Sequence, residues 1–240
     1  MTSRLRICFS LLFIGPLCAA SVSGRVELRD SRETAVRKAK NYSGVVVWLE
    51  PASRNAPRAP AIGLRAKMIQ KNKTFMPHVL AIRVGTTVDF PNLDPIYHNA
   101  FSNYDGQLFD VSLYPPGSSR SVRFTRPGIV RVFCNIHASM SAVIVVLDTP
   151  YFAVTGAKGT FEISDVPPGQ YVMKAFHERA TPATLDALRR PLTVTDDDDA
   201  VLPPIAISES GYLPIPHKNK FGRDYPPAPD EGGLYSTSRK

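Results

Sequence analysis

Between Phe133 and Met140 the chain reads Phe-Cys-Asn-Ile-His-Ala-Ser-Met, which places a thiol, an imidazole and a thioether at Cys134, His137 and Met140. Soft sulfur donors beside an imidazole favour copper over the hard cations. A second imidazole would complete a His2Cys plane with a weak axial methionine, the ligand set of blue-copper electron-transfer sites. His98, in Asp94-Pro-Ile-Tyr-His98-Asn99, is the candidate. Each donor also has an ordinary structural use: a buried cysteine, a loop histidine, a methionine filling a gap. Their joint occurrence in this order favours a metal site.

The elements that must position these donors are strands. Gly128–Phe133 precedes the donor loop and the apolar run 142–147 follows it, so the loop is expected to join two neighbouring strands. Further strands are expected at 65–70, 78–84, 87–91, 119–125, 128–133 and 141–147, with a weaker region at 101–113. The Gly and Pro turns between them, with no long helical periodicity, point to an antiparallel sandwich.

The region 64–148 resembles the cupredoxins. The spacing Cys134-x2-His137-x2-Met140 is similar to the short ligand loop of amicyanin and tighter than that of plastocyanin. Val84-Gly-Thr-Thr-Val-Asp-Phe90-Pro-Asn-Leu-Asp94 and Phe75-Met-Pro77 resemble the family's approach to its first histidine. The resemblance implies a Greek-key β-sandwich binding one type 1 copper ion through His98, Cys134, His137 and Met140. It also implies that Asn99 ties the two ligand loops together, and that electrons pass through the exposed edge of His137. Phe90, Phe101 and Phe133 are expected to shield the site from water.

A second pattern flanks this region. Gly159-Thr-Phe-Glu-Ile163, Asp165-Val-Pro-Pro-Gly-Gln-Tyr171 and the following strand resemble the carboxypeptidase-regulatory, transthyretin-like module. Gly24-Arg-Val26 and the Gly44–Leu49 strand, apolar enough for burial on both faces, fit that module's opening. The expected all-β architecture is therefore a transthyretin-like sandwich split between 22–50 and 151–208, with the copper region inserted, or in the alternative a simple tandem. The charged stretch 29–40 lacks a sustained apolar face and reads as a loop. Pro51–Ile62 reads as a linker or surface loop, Asp196–Asp199 as a solvated turn with calcium binding as the alternative, and the basic, proline-rich 209–240 as a flexible or surface-adherent tail.

Arg4 and Arg6, the apolar run 11–17 and Cys18-Ala-Ala20 have the form of an export signal over 1–20, too short in its apolar core for a stable membrane anchor. Cleavage after Ala20 would remove Cys8 and Cys18, with lipidation of Cys18 as the alternative. It would leave Cys134 as a lone thiol in an oxidising compartment such as the periplasm, where metal ligation accounts for it economically. Cleavage would also lower the formal charge from +8 to +6. Such a surface suits an acidic redox partner; no reader motif for nucleic acid accompanies the charge. No nucleophile–base or paired-carboxylate arrangement stands out. The expected function is an exported, non-enzymatic one-electron carrier, with copper handling or an envelope-associated binding module as alternatives.

Overall fold

The computed structural model describes residues 20–53, 63–103, 106–195, 199–214 and 216–226. Two strands, β1 (Ala20–Arg29) and β2 (Val46–Pro51), come first. Ten short ones follow: β3 (Arg65–Lys67), β4 (Ile69–Lys71), β5 (Thr74–Met76), β6 (Val79–Arg83), β7 (Thr87–Pro91), β8 (Phe101–Ser102), β9 (Phe109–Asp110), β10 (Ser119–Arg123), β11 (Gly128–Phe133) and β12 (Ser141–Leu147). The last six are β13 (Phe152–Val154), β14 (Thr160–Val166), β15 (Gly169–Phe176), β16 (Arg190–Val194), β17 (Ala200–Val201) and β18 (Ile205–Ser208). The architecture is all-β and multi-sheet.

The strands β3 to β12 form a sheet β10-β7-β3, a sheet β6-β12-β11-β8-β9 and the pair β4-β5. Met68, Phe75, Val88, Phe90, Tyr114, Phe124, Val130, Val132 and Ile144 are buried together, with Cys134 and Met140 in the same cluster. The outer segments pair across the whole length of the chain. β1 lies antiparallel to β14 and parallel to β17 and β18, while β2 lies antiparallel to β13 and β15. Val22, Val26, Val47, Leu49, Phe161, Ile163, Met173 and Ile207 are buried between these sheets.

Strand β12 explains how the two regions are joined. Side chains alternate across a strand; Ala142, Ile144 and Val146 enter the cluster that holds Cys134, whereas Val143, Val145 and Leu147 pack with Val46 and Phe176 of β2 and β15. A strand buried on both faces needs an unbroken apolar run, and 142–147 supplies one. β2 does the same, with Val47 and Leu49 facing one cluster and Val46 the other. The strand that anchors the donor loop is thereby clamped between two apolar layers.

Two expectations need correction. The stretch read as a loop contains a helix, α1 (Thr34–Ala39), anchored by the single buried side chain Val36 and stopped by Lys40 in the left-handed conformation. Six residues need one apolar anchor and no sustained face. The strand expected at 65–70 is broken at Met68, whose buried side chain lies between β3 and β4. Of the proline-rich tail, the described residues up to 226 make hydrogen bonds to the donor loop. Residues 1–19 of the export-signal reading (1–20), most of the linker (54–62), Asp196–Asp198 and residues 227–240 fall outside the described residues. No helix among the described residues is long and apolar enough to cross a membrane.

Candidate metal centre

The donor loop is the tip of the β11–β12 hairpin, whose last paired residues are Phe133 and Ser141. The ladder is extended by Cys134 N–H donating to Met140 O at 3.2 Å, and a turn inside the loop is closed by Met140 N–H donating to His137 O at 3.0 Å. Cys134 and Met140 are thus opposite one another at the base of the tip, and both are fully buried. His137 sits at the turn and is half-buried.

His98 reaches the same place from the other sheet. After β7, Asn92 folds the chain back, its Oδ1 accepting from Asp94 N and its Nδ2 donating to Ile96 O. A bridge between His98 and Tyr114 then fixes the backbone, and Phe101 pairs with Phe133 so that 98–101 runs beside the donor loop. Asn135 N–H donates to Asn99 Oδ1 at 2.6 Å. Asn99 O in turn accepts from Gln70 Nε2, and Asn99 Nδ2 lies 3.4 Å from Asp110 Oδ1.

The ring nitrogens of His98 and His137 and the Cys134 sulfur all lie within 4.8 Å of one another. Cys134 Sγ is 3.8 Å from His98 Nδ1 and 3.6 Å from His137 Nδ1. These three residues could coordinate a metal ion. The far nitrogen of His98, Nε2, lies 2.8 Å from Asp94 Oδ2. Metal-bound histidines commonly give their other N–H to a carboxylate, which fixes the tautomer and aims the free nitrogen. Asp94 is itself held by the backbone N–H groups of Asn72 and Lys73. This carboxylate was not singled out from the sequence. An acid four residues before a ligand histidine is a weak signal until the Asn92 turn is known.

Without a cation, both Cys134 and His137 are held toward their neutral forms. Burial pushes the Cys134 thiol above its ordinary pKa, against the opposing pull of backbone N–H groups at Asn99, Ile136 and His137. Burial, and then the neighbouring His98 ring, pushes His137 below its ordinary value and so favours a neutral imidazole. Neutral imidazole is the ligand form, and a coordinating thiol is deprotonated outright by its cation. Cys134 is the only cysteine among the described residues and is not in a disulfide.

The remaining histidines are occupied elsewhere. His78 bonds Glu178 at 2.8 Å and Ser141 O at 3.1 Å. His177 bonds Glu209 at 2.9 Å. His217 lies on the donor loop from outside: its ring stacks on Phe133 at 4.0 Å, and Nε2 is 2.8 Å from Ala138 O. Tyr225 Oη donates to Cys134 O at 2.8 Å, and Lys220 N–H donates to Asn135 Oδ1 at 3.0 Å. Nothing in the sequence signalled these contacts, because they join positions about eighty to ninety residues apart.

No protein-family model matches the chain, nor does any curated protein. Among solved structures, a purple cupredoxin from Nitrosopumilus maritimus is similar at 26% identity over 34% of this chain and 99% of its own, with a TM-score of 0.32. A reduced amicyanin variant aligns at 19% identity over 42% of this chain and 99% of its own, with a TM-score of 0.32. A copper-containing nitrite reductase from Thermus scotoductus aligns at 28% identity over 41% of this chain, with a TM-score of 0.34, and the match spans 25% of that enzyme. The likeness to cupredoxin-fold proteins is distant and partial, and covers well under half of the chain.

Proposed function

We propose that this chain is an exported type 1 copper protein that carries single electrons between redox partners. The observation that carries the proposal is the convergence of His98, Cys134 and His137 donor atoms within 4.8 Å, with Asp94 held against the far side of the His98 ring. Cys134 would be the thiolate ligand, His98 and His137 the neutral imidazoles and Met140, buried at the base of the same loop, the weak axial donor. Copper supplies a one-electron couple when bound in such a set. The protein's own part is to keep the donors still, which the two-sided burial of β12 and the Asn99–Asn135 bond support.

His137 is the half-buried member and the natural point of electron exchange. Exposed Ile136 beside it, and Ile96 and Tyr97 next to His98, offer an apolar rim for brief contact. The formal charge, +8 for the whole chain and +6 without residues 1–20, suits an acidic redox protein as partner. The flanking segments 22–50 and 151–208 would form one split transthyretin-like sandwich around the copper region, a reading supported by the pairing of β1 with β14, β17 and β18. Copper handling gains no support from the methionines: Met68 and Met140 are buried in one core, Met173 in another, and Met76 is exposed.

Protein-film voltammetry of the copper-loaded protein tests the carrier function. A reversible one-electron wave that persists at fast scan rates is the expected result. A sluggish wave, with copper lost on reduction, would instead favour copper handling.

A further inference from the structure

The residues from His217 to Tyr225 make a small self-supporting loop. Asn219 Oδ1 accepts from Phe221 N and Arg223 N, and the backbone closes through Asn219 N–H to Arg223 O and Gly222 N–H to Asn219 O, both at 2.9 Å. Lys218 and Asp224 pair at 2.9 Å. The loop lies on the outer side of the donor loop and touches it repeatedly. Phe133 receives the His217 ring, Cys134 O accepts from Tyr225, Asn135 Oδ1 accepts from Lys220 N–H and Ala138 O lies against His217 Nε2. Tyr225 Oη is also 3.2 Å from His217 Nδ1, and Lys220 Nζ pairs with Asp110 at 2.7 Å.

These contacts use backbone carbonyls, the Asn135 amide, the Phe133 ring and the Asp110 carboxylate, and leave the His98, Cys134 and His137 donor atoms alone. From the inner side the same loop is held by Asn99 Oδ1. A seven-residue hairpin tip pays conformational entropy to adopt one shape, and a loop gripped from both sides has lost that freedom before any ligand arrives. Preorganisation of this kind strengthens binding mainly by slowing release.

We propose that residues 217–225 are a clasp that holds the ligand loop in its metal-receiving shape in the metal-free protein and slows escape of the bound ion, with His217 and Tyr225 as positioning residues. The second half of this proposal rests on the copper reading. The first half does not.

The test uses the full chain with Tyr225→Phe, which removes one oxygen, His217→Ala, and Leu213→Ala as a control on an exposed side chain outside the clasp. Amide hydrogen exchange of the metal-free protein reports on Asn135 and Met140, whose N–H groups are bonded to Asn99 Oδ1 and His137 O. Loss of one or two hydrogen bonds should speed exchange at these amides by about threefold to tenfold. The β1–β14 amides and the Leu213→Ala protein should stay at wild-type rates. Transfer of Cu(I) to the chelator bicinchoninate should accelerate by a similar factor in the same two variants. Wild-type exchange at Asn135 and Met140 in both variants would overturn the clasp. Faster exchange with unchanged copper transfer would overturn its role in retention. Should Tyr225→Phe speed exchange while the wild-type chain takes up no copper, the clasp would stand and the copper reading would fall. Tyr225→Phe keeps the test decisive if His217→Ala does not fold.

Discussion

Two buried histidines, one in each region, carry the same local chemistry and reach opposite ends. His98 is fully buried with Asp94 at 2.8 Å; His177 is nearly so with Glu209 at 2.9 Å. The difference lies at the other ring nitrogen and behind the carboxylate. His98 Nδ1 faces the Cys134 sulfur, and its carboxylate is braced by two backbone N–H groups. Glu209, by contrast, also accepts two bonds from the Arg179 guanidinium and one from Ser31, so His177 belongs to an ionic network in the connections that follow β1, β15 and β18. On the proposed copper reading, the His98–Asp94 pair serves a ligand because the second ring nitrogen meets another donor, whereas the His177–Glu209 pair serves the ionic network.

Breaking the structural pair should have the larger effect on stability. Glu209→Gln removes one of the two carboxylates that offset Arg179 and leaves buried His177 and part-buried Arg179 poorly paired, at a cost of about 3 kcal/mol. Denaturant unfolding measures it, and the visible spectrum of the copper-loaded protein should not change. A spectral change of the size seen on altering a ligand would mean that the two regions are not separable in this way.

Breaking the ligand-side pair should reverse the pattern. Asp94→Asn keeps the shape but weakens the hold on His98, and copper affinity should fall by about tenfold to a hundredfold. Competition with a chelator of known affinity reads this directly. Retention of full affinity would show that Asp94 does not orient the ligand.

How far the sequence revealed each half follows from the range of the interactions. The Cys134–Met140 loop is local: three donors in seven residues, flanked by two strands, can be read without knowing what lies next to them. His98–Asn99 required a pattern already associated with such a loop. Asp94 and the His217–Tyr225 clasp were missed because their meaning depends on a neighbour brought up by the fold. The same reason explains α1, where one buried valine suffices for a helix and no periodic face announces it. The pairing of β1 with β14 and β18 rests on strands separated by more than a hundred residues, and the alternating Gly24–Leu28 pattern alone could not specify their partners.

The smallest expected effect concerns the seam between the regions. Glu178 hydrogen-bonds His78 and raises its pKa above the ordinary histidine value, with burial opposing the shift. The folded state therefore prefers the protonated ring. Its contribution is fully present below about pH 6.5 and is lost as pH rises through the raised pKa. Because about half of the His78 side chain is exposed (48%), the pair is worth no more than about 1 kcal/mol. His78→Gln should lower the melting temperature by about 2–4 °C near pH 6 and by less near pH 8. An equal decrease at both values would remove the ion pair from the seam.

The most direct test of the central claim is to titrate Cu(II) into the protein and into Cys134→Ser, reading visible absorption and electron paramagnetic resonance together. An intense thiolate-to-copper band with narrow hyperfine coupling, saturating at one ion per chain and absent from Cys134→Ser, is the expected result. A weak ligand-field band that is the same in both proteins would contradict it, and the convergence of His98, Cys134 and His137 would then be a packing arrangement without a metal.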